Sequence, residues 1–562
     1  MKQEFIKFSL LAVGLVLFTA CSKDNNDENT EEPIKGITFS MSEAPYNADV
    51  EMAGSRASTD KVIKDTFTIN GVEAEVTLKR DTEQPKQETR VITSGNHYTI
   101  VVFKAGTSTE VASTKGYFDG TGKFIYDAGS TPIQLSPANY DFVCYTHQYA
   151  TRSGNTIEVP LQYADKAFVC KQLVTITHAK KQEIAFTMKH AGARVRTKLV
   201  AIEAPSTSVD AYLGYRANKA PTSTVYDMTT GTFAASTTPM AQKDSISQSY
   251  TSQNEEYDPV LGMNLRTSTG YNYLNILPGT KPEDLFYRIK SGNLYNTTLN
   301  TKQARAFKAG NAFEANGAYT LTIRLMPSYL YLFEDGQTGH LKDADRKDHV
   351  PIAIVFDAVG KRAISLWDAN GGVKTKWDAD DSNTQYVNSK TFPTPQEALN
   401  NSTSGKVWTW ESWDSFHDGT SIVKVDYPRF EAYYYAGNFY TSTDLTSHLG
   451  GKTLASSLNK RNVWYLPSYY EWKEVFAKLG FGNGSLVTSM SNYQWKGNMV
   501  NYAFIAANGT PIAASMMQPT YWSSSEYASN NILVVSIDRI DMNFYTTLRW
   551  WDRGKVRPFV AY

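Results

Sequence analysis

Between Ile37 and about Leu325 apolar and polar positions alternate in short runs, with Gly, Pro, Asn, Asp, Ser and Thr gathered between them. Glu75-Val76-Thr77-Leu78, Tyr98-Thr99-Ile100-Val101-Val102-Phe103 and Ile184-Ala185-Phe186-Thr187-Met188 are examples. A period of two residues sends alternate side chains to opposite faces of a strand, so these runs predict half-buried β-strands. No long stretch of 3.6-residue period competes with them. Two antiparallel β-sandwiches, over 37–190 and 191–328, fit this pattern.

Beyond residue 328 the texture changes. Pro351–Phe356 and Ala363–Trp367 read as paired strands, and Pro395–Leu399 as a short helix. Ser468, with Glu471 three residues on, forms a capping box that opens a helix through Phe476 and Leu479. Tyr521–Tyr527 leads into an apolar strand, Ile532–Ile537, and Lys555–Val560 supplies a last one. Alternation in Val407-Trp408-Thr409-Trp410 places both rings on one face of a strand. Residues 329–562 are therefore expected as an α+β unit.

Composition sharpens this division. All eleven tryptophans lie between Trp367 and Trp551. Trp offers a large rigid apolar face with one N–H donor, suited equally to a core and to a binding surface. Trp464, Trp472 and Trp522 are expected in the core. Trp408, Trp410, Trp413 and Trp495, with Tyr434, are the candidate contacts for a glycan or a protein, a buried face being the alternative for the first two.

The 56 basic and 56 acidic residues balance, so no concentrated basic footprint points to nucleic acid. At the N-terminus Lys2 and Lys7 flank the start of an apolar run, Phe8–Phe18, shorter than the roughly 20 residues of a membrane-spanning helix. Residues 1–21 are therefore expected to be a secretory signal. The polar acidic stretch that follows, 22–36, buries too little apolar area to fold and is expected to be a tether. Cys144 and Cys170 lie in strand-like text and are expected either as a disulfide or as two buried thiols.

No reaction chemistry is visible. The eight histidines show no metal-ligand spacing, and neither a His-Glu-x-x-His nor a Gly-x-Ser-x-Gly string occurs. The oxygen-rich loop Trp377-Asp378-Ala379-Asp380-Asp381-Ser382-Asn383 lacks the central Gly and terminal Glu of a helix-loop-helix calcium site and is expected to be a solvated acidic turn. No catalytic residue, metal or cofactor is assigned, and the chain is expected not to be an enzyme.

Several segments resemble known families. Leu17-Phe18-Thr19-Ala20-Cys21 resembles a bacterial lipobox, and the Cys-Ser-Lys-Asp start with its acidic continuation resembles the export signal of surface lipoproteins of the Bacteroides group. That likeness implies acylation of Cys21 and an outer-membrane, cell-surface location. Ile37-Thr38-Phe39-Ser40, Ser55-Arg56-Ala57-Ser58-Thr59, Tyr140–Tyr145, Phe186–Val195 and Phe313–Ile323 resemble fimbrillin-type pilus subunits of Bacteroidales. The resemblance covers about 290 residues and implies two transthyretin-like sandwiches. It also implies cleavage at Arg56-Ala57, loss of the strand Ile37–Ser40, and a groove that accepts a strand from the next subunit. Trp-x-Leu-Pro-Ser-x-x-Glu-Trp (464–472), Tyr-Trp-Ser-Ser-Ser-Glu-Tyr (521–527) and Val-Arg-Pro-Phe (556–559) resemble domains of C-type-lectin-like fold. The reactive cysteines of the formylglycine-generating members are missing, as are the usual calcium triplets.

Together these readings lead to a mainly β chain that is a fimbrial tip subunit and adhesin. It would take a donor strand from a neighbouring subunit and bind a glycan or protein receptor through 329–562. The alternative is a monomeric surface lipoprotein that captures polysaccharide, with Arg56 uncut.

Overall fold

The computed structural model describes residues 36–47, 63–81 and 95–562, less the internal stretches 179–180, 237, 240–244, 251–253, 271, 302–304, 381–386, 415–420, 514–517, 529 and 552–553. Strands dominate, as the alternation predicts. Among the described residues α-helices occur only from Pro395 onward.

The first unit is built on a seven-stranded sheet. Its order is Ile37–Glu43, Gln182–His190, Phe168–Ile176, Ala138–Thr146, His97–Lys104, Glu110–Phe118 and Phe124–Tyr126. The sheet rolls until its edges approach, so that Phe39 on the first strand meets Phe124 on the last edge-to-face at 5.6 Å. Ile37, Tyr98, Ile100, Phe142 and Phe186 fill the inside of the roll. A four-stranded sheet, Thr232–Ala235, Ser223–Asp227, Thr156–Pro160 and Thr151–Ser153, covers the other face. Val101, Phe103, Val143, Ile157, Val159 and Tyr226 form that second core. The strand His97–Lys104 is thus buried on both sides, and its run Tyr98–Phe103 is apolar at every position but Thr99 for that reason.

In the second unit the main sheet runs Asn254–Asp258, Met263–Thr269, Ala193–Ala201, Ala318–Pro327, Val72–Arg80 and Ile63–Ile69, with Leu274–Ile276 also on Ala193–Ala201. It packs through Val76, Val195, Leu213, Ile289, Leu321 and Ile323 on a sheet centred on Thr207–Tyr215 and Leu285–Leu294.

The expected boundaries at 37–190 and 191–328 do not follow these spatial units. Val72–Arg80, expected in the first sandwich, pairs with Ala318–Pro327, from Tyr319 opposite Arg80 to Pro327 opposite Val72. Ser223–Asp227, expected in the second, pairs with Thr156–Pro160 of the first. Alternation marks where a strand is, while its partner is set by edge hydrogen bonding and core shape across long separations. The sheets are also mixed rather than purely antiparallel, because Ile37–Glu43 and Ala193–Ala201 each have a parallel neighbour.

Residues beyond 328 form an α+β unit around one core. A six-stranded sheet holds Phe559–Ala561 between Arg362–Ser365 and Trp464–Tyr465, and a five-stranded sheet is built on Thr520–Ala528, Asn531–Ile537 and Asp541–Leu548. The helix Tyr469–Lys478 begins at the expected capping box: the Glu471 N–H donates to Ser468 Oγ at 3.2 Å, and the Ser468 N–H to Glu471 Oε2 at 2.9 Å. Glu471 does more than cap. Fully buried, it also accepts from Gly405 N–H (3.0 Å), Ser404 Oγ (2.9 Å) and Tyr465 Oη (2.8 Å), and lies 3.3 Å from Arg362.

That carboxylate anchors the start of the helix Gly405–Trp410, which replaces the strand expected at Val407–Trp410. Ser404 caps it, accepting from Lys406 N–H at 3.2 Å, and Gly405 sits where a Cβ would lie 2.0 Å from the Leu466 carbonyl oxygen. Four residues of alternation are too few to outweigh a cap and a close approach.

Trp464, Trp472 and Trp522 are fully buried. The Trp472 indole also donates to the Trp522 carbonyl at 3.2 Å. Trp472→Ala is expected to lower stability by about 3–5 kcal/mol through the cavity it leaves, read as a shifted midpoint in urea unfolding followed by circular dichroism.

Candidate functional site

The strand Ile37–Glu43 forms one edge of the first sheet. It has one neighbour, Gln182–His190, in parallel register from Ile37 opposite Gln182 to Glu43 opposite Met188. Ile37, Phe39 and Met41 point inward and are buried, while Thr38 and Ser42 face out. Phe39 stacks on Phe186 with centroids 5.8 Å apart and lies 6.4 Å from Phe142. Each of the three apolar side chains contributes about 1.5–3 kcal/mol of burial.

Directly after it, Ala44–Asn47 clasps the two sandwiches together. The Ala44 N–H donates to the Met188 carbonyl at 2.8 Å and still belongs to the first sheet. Three residues on, the Asn47 amide donates to the carbonyls of Asp81 (3.0 Å) and Ala318 (3.1 Å), and its Oδ1 accepts from Ala318 N–H (2.9 Å) and Arg80 (3.2 Å). Asn47 adopts φ 63°, a left-handed conformation that Asn tolerates better than most residues. Asn316 returns the contact, donating to the Pro45 carbonyl at 2.9 Å and accepting from Asn47 N–H at 2.9 Å. Between them Tyr46 is 4% exposed. It stacks on His190 at 4.0 Å and 7°, and the Arg194 guanidinium lies over its other contact face at 4.0 Å. Cys21, Arg56 and Ala57 lie outside the described residues.

The predicted aromatic surface is largely redistributed. Trp408 is buried edge-to-face on Phe392, and Trp495 is buried with its indole donating to the Asp538 carbonyl at 2.8 Å. Neither ring offers a face to a ligand, since both pack in the core that the helices Gly405–Trp410 and Tyr469–Lys478 help to close. Trp410 is half-buried, donates to the Trp464 carbonyl at 2.9 Å, and carries the Arg461 guanidinium at 5.1 Å from its ring. Tyr434 is half-buried on the helix Glu431–Gly437, edge-to-face with Tyr435. The backbone of Trp413 belongs to the short strand Ser412–Asp414, and its side chain lies outside the described residues.

Asp378 corrects the expected solvated turn. It is fully buried and binds Arg429, 51 residues further on, at 3.0 and 3.2 Å, while Asp380 meets the same guanidinium at 3.1 Å. Asp381, Ser382 and Asn383 lie outside the described residues. Cys144 and Cys170 occupy directly paired positions on adjacent antiparallel strands and are free thiols. Burial raises the pKa of both, so neither is poised as a thiolate at neutral pH.

Sequence reasoning missed the buried acid Glu526. Both its oxygens accept from Val387 N–H, at 3.1 and 2.9 Å, one also accepts from Asn388 N–H at 2.8 Å, and Arg549 lies 3.6 Å away. Burial nonetheless pushes its pKa from 4.5 up to about 7, against those donors and against Arg549 and Lys424. Its place in Tyr-Trp-Ser-Ser-Ser-Glu-Tyr, among strand residues that turn inward, was the one available signal.

No protein-family model matches the chain, and no curated protein does. Among solved structures it is similar to a Bacteroides ovatus protein provisionally assigned to cell adhesion, at 12% identity over 52% of this chain and 92% of that one, with a TM-score of 0.30. A fimbrial protein from Bacteroides vulgatus aligns at 13% identity over 42% and 90%, with a TM-score of 0.26. Another fimbrial protein, from Bacteroides ovatus, aligns at 12% identity over 95% and 100%, with a TM-score of 0.22. TM-scores this low assign no residue of this chain to a role.

Because Glu526 has a raised pKa, the folded chain keeps a proton that the unfolded chain releases between about pH 4.5 and 7. Its contribution is therefore full below about pH 4.5 and is lost as pH rises to about 7, a decline of about 3 kcal/mol. Urea midpoints measured from pH 4.5 to 8 should fall across that window, and Glu526→Gln should flatten the fall.

Proposed function

We propose that the protein is a surface-exported fimbrial subunit that accepts a strand from a neighbouring subunit and carries an adhesive domain at its C-terminal end. One observation carries this reading: Ile37–Glu43 is a sheet edge with a single neighbour and three alternate inward side chains, joined to the Ala44–Asn47 clasp. Cleavage at Arg56-Ala57 would free this segment from the rest of the chain. Its departure would expose the Gln182–His190 edge with its row of backbone donors and acceptors, and pockets bounded by Phe124, Phe142 and Phe186. An incoming strand with apolar residues at every second position fits that vacancy.

The C-terminal unit suits recognition rather than polymerisation. Phe559–Ala561 is paired on both sides, so those residues are not available to extend a neighbour. A recognition unit of this kind suits a place at the fimbrial tip. A C-type-lectin-like identity for residues 329–562 is supported by the way the three motifs of the resemblance converge: Trp464, Trp472, Trp522 and Arg557 are all buried in one unit. Of the candidate contact residues, Trp410, Trp413 and Tyr434 remain for a glycan or protein receptor. Acylated Cys21 would hold the precursor in the outer membrane before processing.

In cells, the processed protein should begin at Ala57 and co-purify with sheared fimbriae, and Arg56→Ala should leave a lipid-anchored form absent from them. Polymer-associated protein that still begins at acylated Cys21 would contradict this reading and favour the monomeric, glycan-capturing lipoprotein. For the adhesive domain, Trp410→Ala is expected to weaken glycan-array or receptor binding by about 30-fold, the effect of losing a contact of about 2 kcal/mol.

A further inference from the structure

Three polar side chains far apart in sequence converge at one end of the first sheet. Thr146 is opposite Tyr98, so His147, the next residue, falls beside His97. On the other side His97 is opposite Tyr117, and Asp127 follows the last strand, its N–H donating to the Lys115 carbonyl at 3.0 Å. One ligand atom from each of His97, His147 and Asp127 lies within 4.8 Å of the other two. His97 Nδ1 is 2.8 Å from Asp127 Oδ1, and the two imidazole rings are 5.9 Å apart at 61°.

We propose that His97, His147 and Asp127 form a zinc site with open coordination positions toward solvent. Two imidazoles and a carboxylate suit a borderline-soft, four-coordinate ion better than calcium or magnesium, which prefer all-oxygen cages. Bonds of about 2.0–2.2 Å would draw the three atoms together, a shift that half-exposed side chains make by small χ rotations.

The surroundings hold the ligands in place. Gln148 accepts from His97 N–H at 2.6 Å and donates to Gly95 O and Asn96 Oδ1 at 3.2 and 3.1 Å, tying the turn that bears His147 to the strand that bears His97. Thr99 Oγ1 lies 3.3 Å from His147 Nδ1 and fixes that ring. An open cleft of about 730 Å³ lined by Thr99, Lys115, His147 and Arg152 lies beside one of the three ligands, His147.

A second cluster, Glu334, Asp335 and His349, lacks this character. Arg346 at 2.9 Å from Asp335 and Lys452 at 3.3 Å from Glu334 already neutralise its carboxylates. An ion at the first site would also tie the end of the strand Phe124–Tyr126 to the centre of the sheet. That strand carries Phe124 against Phe39, so zinc would stiffen one lip of the groove filled by Ile37–Glu43.

The test uses untagged, chelator-treated full chain titrated with ZnCl₂ by calorimetry, with Co(II) absorption as a probe of ligand geometry. One equivalent of zinc is expected to bind with a micromolar or lower dissociation constant, and Co(II) to give ligand-field bands that zinc abolishes. His97→Ala and His147→Ala should each weaken binding by at least about tenfold, with the exposed His178→Ala unchanged. Should either alanine variant fail to fold, Asp127→Asn, which keeps a hydrogen bond to His97, should still show weakened binding. Absence of zinc binding by the unsubstituted chain, or equal binding by the ligand variants, would overturn the proposal.

Discussion

The first sheet is completed by a strand drawn from the far end of its own sequence, Ile37–Glu43 beside Gln182–His190, and much of the surrounding structure depends on that pairing. Because the sheet rolls, the strand is an edge and yet its inward residues are core: Phe39 touches Phe186 next door and Phe124 on the opposite edge. Burial of Ile37, Phe39 and Met41 contributes about 5–9 kcal/mol in total. Ordering seven residues costs a sum of the same order. Under the proposed function, a segment so nearly balanced would remain in place while it is tethered and would yield once a competing strand brings the same alternation.

The clasp extends this dependence to the second sandwich. Asn47 bonds the Asp81 and Ala318 carbonyls and the Ala318 N–H, and Tyr46 fills the space between His190 and Arg194. The segment that closes the first sheet therefore also seals the junction of the two units. Interleaving reinforces the junction, since Val72–Arg80 and Ser223–Asp227 each lie in the sheet of the other unit. The C-terminal unit joins in turn: Met499 is buried in the second core, and the Tyr329 hydroxyl donates to the Met499 carbonyl at 3.1 Å.

What the sequence makes legible is local. Alternation locates Tyr98–Phe103, and Ser468 with Glu471 locates the helix Tyr469–Lys478, because in both cases the determining residues are a few positions apart. Where the determinant is distant, the reading fails. Trp408 and Trp410 alternate like strand residues, but Ser404, Gly405 and the distant Glu471 hold that segment as a helix. Asp378 looks solvated until Arg429 is placed beside it, and Glu526 looks like a surface acid until Val387 and Asn388 close over it. The clasp is the extreme case, for Asn47 meets partners 34 and 271 residues away.

The central claim is that the segment through Ile37–Glu43 and Ala44–Asn47 is a replaceable plug, and it is most directly tested by strand exchange. A chain produced from Ala57 onward, mixed with a labelled peptide of the sequence 36–47, should bind it in a fluorescence anisotropy titration. The same peptide with Phe39→Asp should not bind. Failure of the unaltered peptide to bind, or equal binding of a scrambled peptide, would contradict the account.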